Sequence, residues 1–427
     1  MGDENSVETI RRRCCIAGGG PAGMMLGLLL ARAGVEVVVL EKHADFLRDF
    51  RGDTVHPSTL QVIDELGLLD EFLERPHQEA RTVSGQVGDE TVTVADFSHL
   101  PTRCRFIAFM PQWDFLDFLA EHARRHPGFE LRMRAEVTEL IRDGDRVAGV
   151  RARTPEGVLE VRADLVVGCD GRHSAVRALG NLEVEDTGAP IDVLWMRVPR
   201  RPDDPDQPLG SFEPGQVFVM LNRGDYFQCA LVIPKGGFDA VKAQGLDAFR
   251  ARVAKAAPFV RDRVGAIRTW DDVKLLSVAV DHLRRWYGPG LLCIGDAAHA
   301  MSPIGGVGIN FAVQDAVAAA NILAEPLRSG AVGVEHLERV QDRRELPARL
   351  TQRMQVFLQD RVLGPTLRSS APLALPWPLK LLRRVPALRR IPARLIGIGL
   401  RPEHVRTPAS ARPGAEEHGH SRASSAG

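Results

Sequence analysis

The stretch "IAGGGPAGMMLGLLLARAGVEVVVLEK", Ile16 to Lys42, decides how the first third of this chain is read. The apolar run from Arg13 to Ala17 predicts a strand. Gly23 to Ala33 predicts a helix, with Gly34 in the position after its cap. Val35 to Leu40 is apolar at nearly every position, the pattern of a parallel strand buried on both faces. Between the first strand and the helix stands Gly18-x-Gly20-x-x-Gly23. In that context Gly18 permits a tight turn, Gly20 lets backbone approach a pyrophosphate, and Gly23 lets the helix pack close to the strand. The helix N-terminus offers N–H groups and partial positive charge to the anion. Glu41 closes the second strand, 18 residues after Gly23, where a carboxylate accepts the hydroxyls of an unphosphorylated ribose. The unit predicts an adenine dinucleotide; the alternative is a tight glycine-rich turn without a ligand.

Outward from this unit, Ser58 to Leu66, Asp114 to Arg125 and Gln314 to Leu323 read as helices. "DLVVGCDG", Asp164 to Gly171, and "GLLCIGDAAH", Gly290 to His299, read as buried strands with turns at their C-terminal ends. From Ile191 to Val280 the character changes. "DVLWMRVP", "QVFVMLN", "YFQCALVIP" and "KLLSVAV" predict a largely antiparallel sheet, and the alternating Thr82 to Phe97 is a candidate to join it. The expected fold class is α/β: a Rossmann-like βαβ nucleotide-binding domain, an inserted and mainly antiparallel β-sheet substrate domain, and a C-terminal helical segment. The expected boundaries are 1–80, 103–184 and 283–330 for the nucleotide domain, and 81–102 and 185–282 for the substrate domain. A basic, apolar helical segment follows at 331–406, then a low-complexity tail at 407–427 expected to be disordered. The cleft between two such domains is the natural place for a ligand.

Composition narrows the partners. With 55 basic and 55 acidic side chains the net charge is zero, which argues against nucleic acid. The six cysteines are scattered, without a C-x-x-C pair, so they read as buried reduced thiols and no metal site is expected. The start, "MGDENSVETIRRR", is polar and no long apolar run follows it; the expectation is a cytoplasmic protein. From Arg361 to Pro402 there are nine basic residues and no acidic one, interleaved with leucines, prolines and Trp377. This reads either as a helical cap with solvated arginines or as a peripheral contact with an anionic membrane, which would suit a lipophilic substrate.

A second glycine-rich segment, "GDAAHAMSPIGGVGIN", Gly295 to Asn310, follows a predicted strand and opens a predicted helix. Asp296 at the strand end suits a polyol. Gly305, Gly306 and Gly308 leave room for a flat ring against backbone, and the helix N-terminus would stabilise a ring that becomes anionic on reduction.

"GGGPAG", "DLVVGCDGRHSAVR" and "GDAAHAMSPIGGVGIN" together resemble the three FAD motifs of the single-component aromatic-hydroxylase flavoproteins, the p-hydroxybenzoate hydroxylase-like family that includes ubiquinone-biosynthesis hydroxylases. The resemblance runs from about Arg13 to Leu327. It implies that Gly18, Gly20, Gly23 and Glu41 hold the ADP half of FAD. Arg51, in "FRGDTVHPSTL", would meet flavin or pyrophosphate, with Arg48 the alternative. Gln112 would lie beside the cofactor, and Val137 would present backbone to adenine. Asp170 would serve FAD and the nicotinamide cofactor, and Asp296 the ribityl chain. Pro303, Gly305, Gly306, Gly308 and Asn310 would line the isoalloxazine. It further implies an FAD-dependent monooxygenase that hydroxylates an aromatic, phenolic or quinol-like small molecule, lipophilic if the basic segment meets a membrane, through a flavin hydroperoxide, using O2 and NAD(P)H. Only one fingerprint occurs, so NAD(P)H is a transient co-substrate. The alternatives are a reductase of the same fold without oxygen insertion, a flavin-dependent halogenase, and a lipid carrier whose nucleotide site has decayed.

Keeping a hydroperoxide alive requires a dry cleft. Trp195, Met196, Phe218, Met220 and Phe227 are candidates to line it, or else belong to the core of the sheet. No catalytic residue announces itself; His56 is a weak candidate base.

Overall fold

The first strand, β1 (Val7–Ala17), is longer than the apolar run that announced it. Its first half, "VETIRRR", is polar and largely exposed. It is extended because it forms a parallel ladder, Val7 opposite Val158 through Arg12 opposite Ala163, with the long strand Gly157–Gly168. Non-local pairing overrides local propensity there. Cys14, Cys15 and Ile16, at the other end, are all fully buried although their side chains alternate, so this half of the sheet is covered on both faces. All six cysteines are buried and reduced, and burial pushes the Cys15 thiol up to about 12.

The computed structural model describes residues 7–47, 54–205 and 209–410. Helix α1 (Pro21–Arg32) follows β1, with Pro21 at its first position, where a missing N–H breaks no helical bond. Gly34 reverses the chain at φ +83° as expected, and β2 (Val37–Glu41) is buried throughout. Leu291–Cys293, Gly157–Gly168, β1, β2 and Phe129–Met133 lie side by side in that order, all parallel. The antiparallel strands Glu136–Asp143 and Arg146–Thr154 extend from Gly157–Gly168.

The three expected helices occur at Pro57–Glu65, Gln112–Ala123 and Gly308–Ser329. The last is 22 residues long, well beyond its expected span at both ends. Gly308 and Pro326 are weak helix formers, but the helix packs between α1 and the outer helix Val334–Leu358, and burial outweighs them. With the preceding turn it is long and apolar enough to cross a membrane, yet 83% of its most apolar window is buried in the core.

The second sheet orders Lys274–Ser277, Ile191–Pro199, Tyr226–Pro234, Gln216–Asn222, Leu209–Glu213, Thr82–Val87 and Glu90–Asp96. Every pair is antiparallel except Leu209–Glu213 with Thr82–Val87. Its two faces differ. Met196, Phe218, Met220 and Phe227 pack with Phe249 and Val253 of the helix Leu246–Ala256, so they form core on the outer face. Of the two readings offered for these four residues, core of the sheet is the one that holds. Trp195 lies on the opposite face, with Val193, Val217, Ala230 and Ile304.

Beyond Leu358 a turn of π-helix, Gln359–Leu363, leads to the short helices Trp377–Arg384 and Arg390–Gly397. The expected disordered tail is corrected at its start. Thr407 is buried, its carbonyl accepts from Arg32 Nη1 at 2.8 Å, and the Ser410 N–H donates to the Arg32 carbonyl at 2.9 Å. These bonds supply partners at the C-terminal end of α1.

Candidate functional site

Three glycines set the geometry of the first turn, each for its own steric reason. Gly18 sits at φ +106°, and a Cβ there would lie 2.4 Å from the Cys169 carbonyl oxygen. At Gly23 a Cβ would lie 2.0 Å from the Gly18 oxygen. Gly20 is different: the nearest atom to a Cβ would be 4.0 Å away, so the absent side chain leaves open space at the start of α1. Glu41 is buried, its Oε2 accepting the Gly19 N–H at 2.9 Å and its Oε1 the His43 N–H at 3.1 Å. The carboxylate ties the end of β2 to the glycine turn. Val137 is the second residue of Glu136–Asp143, close after Ala135, whose N–H donates to the Glu41 carbonyl at 2.9 Å.

The late loop meets this turn. A Cβ at Gly295 would lie 3.1 Å from the Ala22 Cβ of α1 and 3.6 Å from the Ala312 Cβ of Gly308–Ser329. Two signals more than 270 residues apart in sequence thus share one edge of the sheet. Asp296, in the turn Gly295–Ala297, is partly exposed, with Arg172 Nη2 at 3.7 Å. Pro303 caps a short turn in which Gly305 and Gly306 have φ +81° and +62°. The Gly306 carbonyl accepts from Thr54 Oγ1 at 2.7 Å. Gly308 begins the late helix with nothing within 4 Å of a Cβ. Asn310 is buried, its Oδ1 accepting from Thr59 Oγ1 at 2.5 Å. Gln112 is the first residue of Gln112–Ala123, half-buried behind Pro111.

Asp170 packs its backbone against Gly18, but its carboxylate accepts from Ser174 Oγ at 2.5 Å and from the Val176 N–H at 3.1 Å, capping the short helix Ala175–Leu179. Arg51 and Arg48 lie outside the described residues. His56 is fully buried. Its Nδ1–H donates to the Ile396 carbonyl at 2.9 Å, and burial pushes the imidazole down to about 4. A ring closed off in this way is a core histidine, the alternative to the weak candidate base.

Sequence reasoning missed the supports beneath the late loop. Asp315 is fully buried in Gly308–Ser329. Its Oδ2 accepts the Gly295 N–H at 3.0 Å and His299 Nε2–H at 2.6 Å, and its Oδ1 accepts Arg344 Nε–H at 2.9 Å. Burial alone would raise its carboxyl; the charges and hydrogen bonds of His299 and Arg344 outweigh that and hold it below the ordinary value. Gln355 takes the Ser302 N–H and gives to the Ser302 and Ile304 carbonyls, while Gln352 gives to the Ala300 carbonyl and Gln359 to Ser302 Oγ. A signal existed in "TQRMQVFLQ": amides spaced by three and four share one helix face.

The residues fit FAD. The first-turn N–H groups of α1 have no carbonyl within the helix and face the opening at Gly20. Open backbone at Gly308 and a carboxylate at Asp296 lie along the same edge.

Comparison with known proteins agrees. A family model described as an FAD binding domain matches residues 11–354. The 6-methylpretetramide 4-monooxygenase of Streptomyces rimosus is 34% identical over 89% of this chain and 91% of its own length. A rifampicin monooxygenase of Streptomyces venezuelae is 32% identical over 70% of this chain; the match spans 61% of that longer protein, under two thirds of its length. Among solved structures, the anhydrotetracycline hydroxylase from Streptomyces rimosus superposes with a TM-score of 0.69 at 27% identity, covering 91% of this chain and 76% of its own. The chain belongs to the FAD-dependent aromatic-hydroxylase family and is an FAD-dependent monooxygenase.

Proposed function

We propose that the chain hydroxylates a polycyclic aromatic small molecule of phenolic or quinol-like character, with O2 as the oxygen source and NAD(P)H as a transient co-substrate. The observation that carries this reading is the meeting of the Gly295 loop with α1 at Ala22. Likeness to the 6-methylpretetramide 4-monooxygenase over 89% of the chain supports the substrate class.

When bound, FAD supplies electron transfer from NAD(P)H and the activation of O2. The chain's own residues hold and shield. The N-terminus of α1, opened by Gly18, Gly20 and Gly23, offsets the pyrophosphate charge. Glu41 and Asp296 would accept from ribose and ribityl hydroxyls, Val137 would present backbone to adenine, Gln112 would lie beside the cofactor, and the family resemblance alone gives Arg51 a role toward flavin or pyrophosphate. Asp170 shapes the turn beneath it through the helix it caps. Pro303, Gly305, Gly306, Gly308 and Asn310 would seat the flat ring, where the N-terminus of Gly308–Ser329 would supply partial positive charge. Trp195 and Ile304 pack in one apolar cluster and Leu221 and Ile396 in another, and apolar surfaces of this kind would stack on an aromatic substrate and exclude water.

The test supplies FAD-loaded protein with NADH or NADPH, isotopically labelled O2 and a panel of polycyclic phenols. The expected result is a product heavier by one labelled oxygen atom, formed as NAD(P)H is consumed. Consumption with a reduced but unoxygenated product would instead assign a reductase.

A further inference from the structure

The two terminal helices lie across the edge strand Glu90–Asp96 of the antiparallel sheet. Their inner sides do the packing. Ala393 and Gly397 are buried against Phe97 and Leu100, and a Cβ on Gly397 would lie 2.8 Å from Leu100 Cδ1. Ile396 and Ile398 pack beside them, and Arg383 pairs with Glu90. The outer sides are the unusual feature. Trp377 is 76% exposed, Leu381 42%, Val385 40% and Ile391 67%. Trp377, Leu381 and Val385 stand four residues apart and form one stripe of Trp377–Arg384 and its cap.

This stripe is flanked by cations. Lys380 and Arg384 border it, and Arg390 and Arg394 border Ile391 on the next helix. Among the described residues Lys380, Arg384 and Arg394 make no ion pair. No acidic residue occurs anywhere from Arg361 to Pro402. A solvated face would carry polar residues where Trp377 and Ile391 stand. A second copy of the chain would bring one basic face against another with no carboxylate between them. A nucleic acid would use the cations but leave the aliphatic stripe in water. An anionic bilayer takes both: cations at the headgroups, apolar side chains at the acyl boundary.

We propose that this face is a peripheral docking surface for anionic membranes. Trp377, Leu381, Val385 and Ile391 enter the interface, and Lys380, Arg384, Arg390 and Arg394 meet the headgroups. The folded sheet holds the two helices at their inner sides, so the outer stripe is displayed without any ordering of the segment on binding.

The test is co-sedimentation of the full-length, FAD-loaded protein with vesicles of phosphatidylcholine and phosphatidylglycerol, against phosphatidylcholine alone. Expected is binding to the anionic vesicles only, weakening as salt rises. Lys380→Gln and Arg384→Gln should each weaken binding about fivefold. Trp377→Ser combined with Ile391→Ser should abolish it while thermal unfolding stays unchanged, because both side chains are exposed. Absence of binding to anionic vesicles, equal binding to neutral ones, or indifference to the Trp377 and Ile391 substitutions overturns the proposal. So does a vesicle-free dimer that the same substitutions dissolve, which would assign the face to a second copy.

Discussion

Asp315→Ala probes the support of the late loop. In the folded chain its carboxylate takes three donors, from Gly295, His299 and Arg344, and no water reaches it. Its removal leaves the buried Arg344 guanidinium with only the Glu403 carboxylate, 3.7 Å away, as a counter-charge. Breaking one side of a buried pair costs roughly 3–5 kcal/mol, and the Glu403 contact argues for the lower end, about 3 kcal/mol. At about 2.1 cal/mol/K per residue, the 427-residue chain has an unfolding entropy of about 0.9 kcal/mol/K, so the midpoint should fall by about 3–4 °C. The assay is thermal unfolding of the parent, Asp315→Ala, Arg344→Met and the double variant. Each single change strands a buried partner and the double change strands neither, so the double variant should lose less than the two losses added together. The pH dependence has a definite sign. The folded carboxyl titrates below its unfolded value, so its contribution is present above about pH 4 and fades as pH falls below that. The gap between parent and Asp315→Ala should therefore close in acid. Additive losses in the double variant, or an Asp315→Ala protein melting with the parent at neutral pH, would refute the reasoning.

Three further outcomes follow from the same geometry. Gly23→Ala should distort the turn and lower both stability and FAD retention, whereas Gly20→Ala, with open space around its Cβ, should leave the unfolding of cofactor-free protein unchanged and weaken only FAD binding, read by fluorescence titration. His56 is held neutral down to about pH 4, so the unfolded chain binds one more proton between about pH 6.5 and 4; that shift removes about 3 kcal/mol of stability on acidification, and His56→Gln should flatten this part of the denaturant-midpoint profile against pH. Gln355→Leu strands one N–H and two carbonyls of the Ser302–Ile304 segment, a loss of roughly 1–3 kcal/mol, and should speed hydrogen exchange there and not in the strand Phe129–Met133, at the other end of the first sheet from Leu291–Cys293.

What the sequence disclosed and what it hid divide along one physical line. Gly18 and Gly23 were legible because the need for a missing Cβ is local and leaves a one-letter trace. The alternation in "DVLWMRVP" was legible too, but it establishes only that Trp195 and Met196 face opposite ways. Which one packs against the helix Leu246–Ala256 depends on where that helix sits, and it lies some fifty residues further along the chain. Polar "VETIRRR" gave no strand signal, since its partner, Val158 to Ala163, lies some hundred and fifty residues further along the chain.

Asp315 lies between these cases. A lone carboxylate in "NFAVQDAVAAANILA", where the apolar run implies burial on every side, requires a cation or a donor set, because an unpaired charge there would be prohibitively costly. The pattern therefore demands a partner without saying which. The next helix offers Arg343 and Arg344 as neighbours, chemically identical and about 100° apart around the axis. That rotation sends Arg344 inward to Asp315 and Arg343 toward Glu403, near the chain's far end. Residue type can state that the charge must be answered; only the packing angle of the two helices selects the arginine that answers it, and with it the geometry of the loop proposed to seat the flavin.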